Sequence, residues 1–164
     1  MAERQIGMRR TVWTVGHSNR SLNEFLDLLK LYNVELLVDV RRWPTSKKFP
    51  YFAFTALVAP LRKAGLEIIW LGDLLGGYRR GGYEMYMSTP DFRRGLELLE
   101  QRAAFRRTAI MCAELLYFRC HRRFIADALV RRGWRVIHVV DAKRTVVHKR
   151  GLEQDGQLSL ELEP

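Results

Sequence analysis

The sequence is poor in cysteine and proline, and it has no long apolar run. Two of its 164 residues are cysteines and five are prolines, and no apolar stretch approaches the roughly 18 residues that a membrane span needs. The N-terminus, MAERQIGMRRTVWTVGHS, has no apolar segment followed by a small-residue cleavage site. Two cysteines without an export signal are expected to be free thiols, because the cytosol keeps thiols reduced. These absences predict a cytoplasmic protein without a membrane partner.

Length and composition favour one folded domain. Hydrophobic residues make up 48% of the chain and charged residues 28%, as in an ordinary globular protein. We expect an N-terminal extension at residues 1–10, a single α/β domain at residues 11–148 and a polar C-terminal tail at residues 149–164. The net charge of +10 attracts anions, including nucleic acids, nucleotides and phosphorylated metabolites, although a basic charge can also serve solubility alone.

Strand and helix patterns alternate along the whole chain. Short apolar runs rich in β-branched residues predict five strands, at residues 11–18, 34–42, 66–73, 107–114 and 134–142. Ser21 with Glu24 forms a capping box before an amphipathic run, and Thr89 precedes a proline at the first helical position. A helix at residues 55–65 is expected to be bent or shortened by Pro60.

This alternation predicts the α/β fold class. We expect a single doubly wound domain with a mostly parallel, about five-stranded sheet and helices on both faces. In such sheets, ligands bind beyond the carboxyl ends of the strands. The residues that directly follow each strand are therefore the candidates for a functional site.

The stretch MCAELLYFRCHRR runs from the fourth predicted strand into a helix. It crowds together Cys112, Glu114, Arg119, Cys120, His121 and Arg122. Exposed N–H groups at a helix start, with Arg119 and Arg122 beside them, predict an anion site suited to phosphate. The same positive field would lower the pKa of a thiol at Cys120 or Cys112. The alternative is that Cys112 is a small core residue and that the arginines only solvate the helix.

Two other uses of these cysteines have less support from the spacing. Phosphatase and rhodanese loops also place a cysteine ahead of an anion-holding arginine, but here six residues without glycine separate Cys112 from Arg119. Zinc could be held by Cys112, Cys120 and His121, but the paired C-x-x-C spacing of structural zinc sites is missing. We therefore predict no metal site, and the sequence identifies no cofactor.

GHSN and VDVRR follow the first and second predicted strands. His17 is a candidate general base, because imidazole titrates near neutrality, and Ser18 and Asn19 are candidate substrate-binding residues beside it. Asp39 would orient His17 or bind a sugar hydroxyl, and Arg41 would contact an anion. The alternatives are a structural histidine and an Asp39–Arg41 ion pair that only ties the strand to its loop.

The segment LLGGYRRGGYEMYM mixes glycine, tyrosine and arginine without a sustained period. Gly76, Gly77 and Tyr83 are candidate substrate-binding residues, since aromatic faces with basic neighbours suit base stacking. A flexible lid or surface loop is the alternative.

Several motifs together resemble one known family. GHSN, LLVDVRRWP, the LGG at residues 75–77, YMSTPDF, MCAE, CHRR and ADAL occur in the order seen in the bacterial and archaeal family called domain of unknown function 488. The resemblance spans roughly residues 11–141 and implies a compact α/β domain. The family's motif positions correspond here to His17, Ser18, Asp39, Arg41, Gly76, Gly77, Cys112, Glu114, Cys120, His121 and Arg122. The family usually has a polar segment with a proline between MCAE and CHRR, whereas this chain has LLYF, which implies a more apolar site mouth or a subunit contact.

Three functions are consistent with these residues. The first is an enzyme that performs hydrolysis or transfer on a phosphate-bearing small molecule or nucleic acid, with Glu114 or His17 as general base, Asp39 orienting, and arginines holding the anion. The second is a non-catalytic nucleic-acid-binding or regulatory module. The third is a thiol-dependent redox or sulfur-handling protein. The sequence does not indicate an oligomeric state.

Overall fold

A single sheet runs through residues 10–149, the part of the chain that the computed structural model describes. Its six strands are β1 (Thr11–Gly16), β2 (Leu36–Asp39), β3 (Glu67–Trp70), β4 (Thr108–Cys112), β5 (Arg135–Val139) and β6 (Thr145–Val147). Their spatial order is β3-β2-β4-β1-β5-β6. The first five strands pair in parallel, and β6 pairs antiparallel to β5. The predicted mostly parallel sheet is confirmed, with one strand more than expected.

The sixth strand had no clear signal in the sequence. It has only three residues, TVV, between charged neighbours, so it lacks the continuous apolar run of the buried strands. A tight turn starts it, in which the Asp141 carboxylate accepts hydrogen bonds from the backbone N–H groups of Lys143 and Arg144. Strand β6 is therefore specified by this turn more than by its own composition.

Within residues 10–149, six α-helices connect the strands. They are α1 (Leu22–Leu31), α2 (Phe54–Lys63), α3 (Gly72–Leu75), α4 (Tyr83–Tyr86), α5 (Pro90–Ala103) and α6 (Arg122–Arg131). The capping box of Ser21 and Glu24 starts α1, and the Thr89 hydroxyl caps α5, both as predicted. Helix α2 continues through Pro60 to Lys63, so the proline does not end it there.

Helices cover both faces of the sheet. On one face, α1 and α2 bury Phe25, Leu29 and Leu57 against the sheet. On the other face, α5 and α6 bury apolar residues such as Leu99 and Ile125. Successive strand residues point to opposite faces, so β1 supplies Trp13 and Val15 to the first core and Val12 to the second. This arrangement confirms the doubly wound α/β class.

The tyrosine-rich segment after β3 is packed onto the helices. The Tyr83 hydroxyl donates to the Leu75 carbonyl and the Tyr86 hydroxyl to the Leu74 carbonyl, both at 2.7 Å. The Arg79 guanidinium lies 4.0 Å from the centre of the Tyr86 ring. This segment therefore contributes short helices and tethered side chains where the sequence indicated only a loop.

The ends of the predicted domain division lie largely outside the described residues. Of the expected N-terminal extension and C-terminal tail, the structure describes only Arg10 and Lys149. Within residues 10–149, no helix has the length and apolar character that crossing a membrane requires.

Candidate functional site

The carboxyl ends of β1, β2 and β4 meet at one edge of the sheet, together with the start of α6. The backbone N–H of His17 donates to the Cys112 carbonyl at 2.9 Å, which joins the ends of β1 and β4. The His121 ring at the start of α6 contacts the Val40 carbonyl at 2.8 Å, just beyond β2. The residues predicted from GHSN, VDVRR, MCAE and CHRR therefore lie at a common edge.

The two cysteines lie side by side at this edge. Cys112 is the last residue of β4 and Cys120 precedes α6 by two residues. Their sulfur atoms are 3.2 Å apart, and both are free thiols. Cys112 is only 2% exposed, as expected of a core residue at a strand end, whereas Cys120 is half-buried. Eight positions apart in sequence, they form one dithiol centre.

Arg122 closes the inner side of the dithiol centre. Its side chain is completely buried, at 0% exposure. The guanidinium donates through Nε to the Cys120 sulfur at 3.3 Å and through Nη1 to the Thr14 hydroxyl at 3.1 Å. Its Nη2 donates to the Glu114 and Leu115 carbonyls at 2.6 and 3.1 Å. The predicted anion-holding arginine thus points into the protein, with its donors already engaged.

This buried cation has no carboxylate partner among the described residues. Their ion pairs involve other arginines and His148, and none involves Arg122. Burying a charge without a counterion is costly. Both cysteine sulfurs lie close enough to Arg122 to interact with its charge, and the Cys120 sulfur accepts hydrogen bonds from Arg122 Nε and from the Arg122 backbone N–H, each at 3.3 Å. Arg122 therefore favours a thiolate at Cys120.

The two thiols have opposite pKa shifts. The pKa of Cys120 falls to about 6, because the Cys112 thiol donates a hydrogen bond to its sulfur and because the Arg122 charge and donors stabilise the anion. Burial raises the pKa of Cys112. At neutral pH the pair is therefore a Cys120 thiolate that accepts a hydrogen bond from a protonated Cys112.

Asp39, Arg41 and His17 form a second buried cluster. The Asp39 carboxylate accepts hydrogen bonds from Arg41 Nε at 2.9 Å and from Nη2 at 2.7 Å. Arg41 Nη2 also donates to the Phe52 carbonyl, and Nη1 lies 3.4 Å from His17 Nε2. Burial raises the pKa of Asp39, and the hydrogen bonds from Arg41 oppose that rise. Arg41 thus stands between Asp39 and His17, and Asp39 forms an ion pair with Arg41, which was the alternative to direct orientation of His17 by Asp39.

His17 is a neutral ring in this cluster. Its Nδ1 contacts the Ser18 carbonyl at 2.9 Å, so Nδ1 carries the proton and Nε2 faces Arg41 as an acceptor. The ring stacks on Phe52 at 4.4 Å between centroids. Burial lowers the pKa of His17 to about 4, and the Arg41 charge adds to the effect. A base with this pKa and an occupied acceptor atom is a weak proton acceptor at neutral pH.

His121, the LGG glycines and Tyr83 pack beside the dithiol centre. His121 donates from Nε2 to the Val40 carbonyl, and burial lowers its pKa to about 4. A β-carbon on Gly77 would lie 3.3 Å from His121 Nδ1, and one on Gly76 would overlap the Arg42 backbone at 2.6 Å. The Tyr83 ring lies 5.5 Å from the His121 ring. These glycines permit close approach between loops, and burial raises the pKa of Tyr83.

Other predicted site residues lie further out. The side chains of Glu114 and Arg119 are exposed, and Glu114 contributes its backbone carbonyl to Arg122. Ser18 has a left-handed backbone (φ 51), and its hydroxyl is 3.5 Å from the Asn19 side-chain oxygen. Among the described residues, no cluster of histidine, cysteine or carboxylate side chains could hold a metal ion.

Sequence reasoning missed a buried chain of polar groups behind Arg122. The Thr14 hydroxyl contacts His138 Nδ1 at 2.6 Å, His138 Nε2 contacts His148 Nδ1 at 2.8 Å, and His148 Nε2 contacts Asp127 at 2.7 Å. Arg122 can only donate, so the Thr14 hydroxyl hydrogen points to His138, whose proton then lies on Nε2. Burial lowers the pKa of His138. The available signal was polar Thr14 and His138 within otherwise apolar strands.

Fold and site together define a doubly wound α/β domain with a buried dithiol at the carboxyl edge of its sheet. Residues 21–129 match the family described as domain of unknown function DUF488, and the chain belongs to that family. The match includes both cysteines and Arg122 but begins after His17, Ser18 and Asn19. No curated protein and no solved structure matches the chain.

Proposed function

We propose that this protein carries out thiol–disulfide exchange, with Cys120 as the reacting thiolate and Cys112 as the second thiol. The observation that carries the proposal is the 3.2 Å contact between the two sulfurs beside a buried Arg122 that has no carboxylate partner among the described residues. A thiolate is the nucleophile in exchange reactions, and its rate depends on the fraction ionised at ambient pH. A pKa of about 6 for Cys120 keeps that fraction high.

The reaction has two balanced steps. The Cys120 thiolate attacks one sulfur of a substrate disulfide, forms a mixed disulfide with it and releases the other half as a thiolate. Cys112 then loses its proton to that leaving group and attacks the Cys120 sulfur. A Cys112–Cys120 disulfide forms and the second half of the substrate leaves as a thiolate. Two protein thiols are oxidised and one substrate disulfide is reduced, and the reverse sequence oxidises a substrate dithiol.

The proposed exchange reaction is compatible with a cytosolic location. A reduced compartment keeps both thiols available between turnovers, and catalytic disulfides in that compartment are transient. The substrate class we propose is a small or protein disulfide that reaches the sulfur of Cys120, a half-buried residue.

A second candidate is hydrolysis or transfer on a phosphate-bearing ligand such as a nucleotide or nucleic acid. The net charge of +10 supports it, as do the exposed side chains of Glu114 and Arg119, which would serve as general base and anion contact. Arg41 and Arg122 support it less, because their donors are engaged inside the protein. Under this candidate, cysteine-to-serine variants would keep full activity on the phosphate ligand.

The test is to trap the mixed disulfide. Cys112→Ser treated with oxidised glutathione should hold glutathione on Cys120, because no second thiol can release it, whereas the wild type should proceed to an intramolecular disulfide. Intact-mass spectrometry distinguishes the two products. The matched control is a Cys112→Ser, Cys120→Ser protein that carries Ser88→Cys, which places a thiol at an exposed position in a different segment of the chain. If Cys120 reacts no faster than this control thiol at pH 7, the proposal is wrong.

A further inference from the structure

Two large aromatic side chains stand exposed next to each other, outside the dithiol centre. Trp43 follows β2 and is 60% exposed, and Tyr78 follows α3 and is 83% exposed. Their ring centroids are 5.3 Å apart, with the ring planes tilted by 42°. Single exposed apolar side chains are common on protein surfaces, whereas two solvent-exposed aromatic rings in contact indicate a binding surface. We call Trp43 and Tyr78 the aromatic pair.

The two loops that carry the aromatic pair are fixed against each other. Arg42 Nη1 donates to the Tyr78 carbonyl at 2.7 Å, and the same guanidinium lies 5.5 Å from the centre of the Trp43 ring. Gly76 lets the loops touch, because a β-carbon there would overlap the Arg42 backbone. Tyr78 itself has a left-handed backbone (φ 61), which a tyrosine adopts only when its surroundings impose it. The exposed rings are therefore held in place by specific contacts.

Both loops carry positive charge and no negative charge. Lys47 and Lys48 are exposed on the loop of Trp43, and Arg80 is exposed on the loop of Tyr78. Residues 40–51 and 74–83 contain no Asp or Glu. A basic surface around aromatic faces is the combination that binds single strands, because each base offers a π-face and each nucleotide a phosphate.

We propose that the aromatic pair stacks nucleobases of a single-stranded nucleic acid while the lysines and arginines of the two loops contact its phosphates. A duplex hides its base faces, so this surface favours single strands. We expect this binding to depend little on the nucleotide sequence, because every base has a π-face that can stack on an aromatic ring. This inference goes beyond the proposed thiol chemistry and does not depend on it.

The test is fluorescence anisotropy with a labelled single-stranded oligonucleotide at low salt. Trp43→Ala and Tyr78→Ala should each weaken binding by about tenfold, since each removes one ring on which a base can stack. Trp43→Phe and Tyr78→Phe should keep most of the affinity, because they keep an aromatic face. An oligonucleotide of the same length without bases should bind the wild type as weakly as the alanine variants bind the intact strand.

The matched control is Phe105→Ala. Phe105 is 75% exposed and lies before β4, at the opposite edge of the sheet, so its loss should leave binding unchanged. The proposal is overturned if the wild type and both alanine variants bind the oligonucleotide equally, or if Phe105→Ala weakens binding as much as they do. It is also overturned if the wild type binds duplex as tightly as the single strand, or binds no oligonucleotide at all.

Failure here is distinguishable from failure of the thiol proposal. Cys112→Ser, Cys120→Ser protein should bind the oligonucleotide as the wild type does, and the Trp43 and Tyr78 variants should keep disulfide exchange. Loss of oligonucleotide binding in the double serine variant would also contradict the independent site.

Discussion

At the scale of single residues, Arg122 decides the chemistry of the dithiol centre. It is completely buried and contacts sulfur, a hydroxyl and carbonyl oxygens, with no carboxylate partner among residues 10–149. Its charge therefore acts on Cys120 at short range in a site from which water is largely excluded. Asp39 and Arg41 give the contrast, because there the carboxylate neutralises the guanidinium and no nearby group needs to ionise.

The prediction at this scale concerns the ionisation of Cys120. The pH dependence of its alkylation by iodoacetamide should show an apparent pKa near 6 in the wild type. Arg122→Met keeps an apolar chain of similar length but removes the charge and donors, so the apparent pKa should rise by at least about one unit.

Two controls make this prediction specific. Arg119→Met removes an exposed arginine from the same segment and should leave the apparent pKa close to the wild-type value. Circular dichroism spectra of all variants should agree, which shows that the fold is kept. If Arg122→Met folds and the apparent pKa of Cys120 is unchanged, Arg122 does not stabilise the Cys120 thiolate.

At the scale of elements, His121 ties the start of α6 to the end of β2. Its Nε2 donates to the Val40 carbonyl, and burial together with the Arg122 and Arg79 charges keeps the ring neutral, with a pKa of about 4. A histidine in an unfolded chain has a pKa near 6.5. Between these values the unfolded state binds more protons than the folded state, so stability rises with pH from about 4 to 6.5 and falls when pH is lowered through that range.

We therefore predict that His121→Gln weakens the acid sensitivity of the fold. Glutamine places an N–H donor near the position of Nε2 but cannot be protonated. Urea unfolding at pH 5 and pH 7 should show a smaller loss of unfolding free energy at pH 5 in the variant, by about 1–2 kcal/mol. His17 has a similar pKa of about 4 and should keep its own contribution in this variant. An equal loss in both proteins would show that His121 is not buried as a neutral ring.

The sequence predicts many of the helix and strand positions, but it does not predict much of the site geometry. Ser21, Glu24 and Thr89 mark helix starts by local chemistry, so the sequence identifies them. The contact between the two sulfurs depends on the 3-10 turn at Tyr117–Arg119, which brings Cys120 back beside Cys112. The sequence spacing of the two cysteines does not predict this turn. Likewise, the contact of Thr14 with His138 requires that β1 lies beside β5, and the inward direction of Arg122 follows only from packing.

At the scale of the whole molecule, the exposed basic loops and the buried thiols lie at different places along the carboxyl ends of the strands. The dithiol centre is buried between β4 and α6, whereas the aromatic pair and its lysines are exposed beyond β2 and α3. The excess of ten positive charges acts on the exposed surface, where it attracts polyanions from solution. The buried Arg122 acts on the thiols instead. Separate variants can thus remove the two proposed sites one at a time.

The most direct test of the central claim is the midpoint potential of the Cys112–Cys120 couple as a function of pH, measured on the wild type in glutathione redox buffers. We predict one reversible disulfide. Its potential should fall by about 59 mV per pH unit below pH 6, where oxidation releases two protons, and by about 30 mV per unit above pH 6, where Cys120 is already a thiolate. Failure to form the disulfide, or a slope of about 59 mV per unit up to pH 8, would contradict the account.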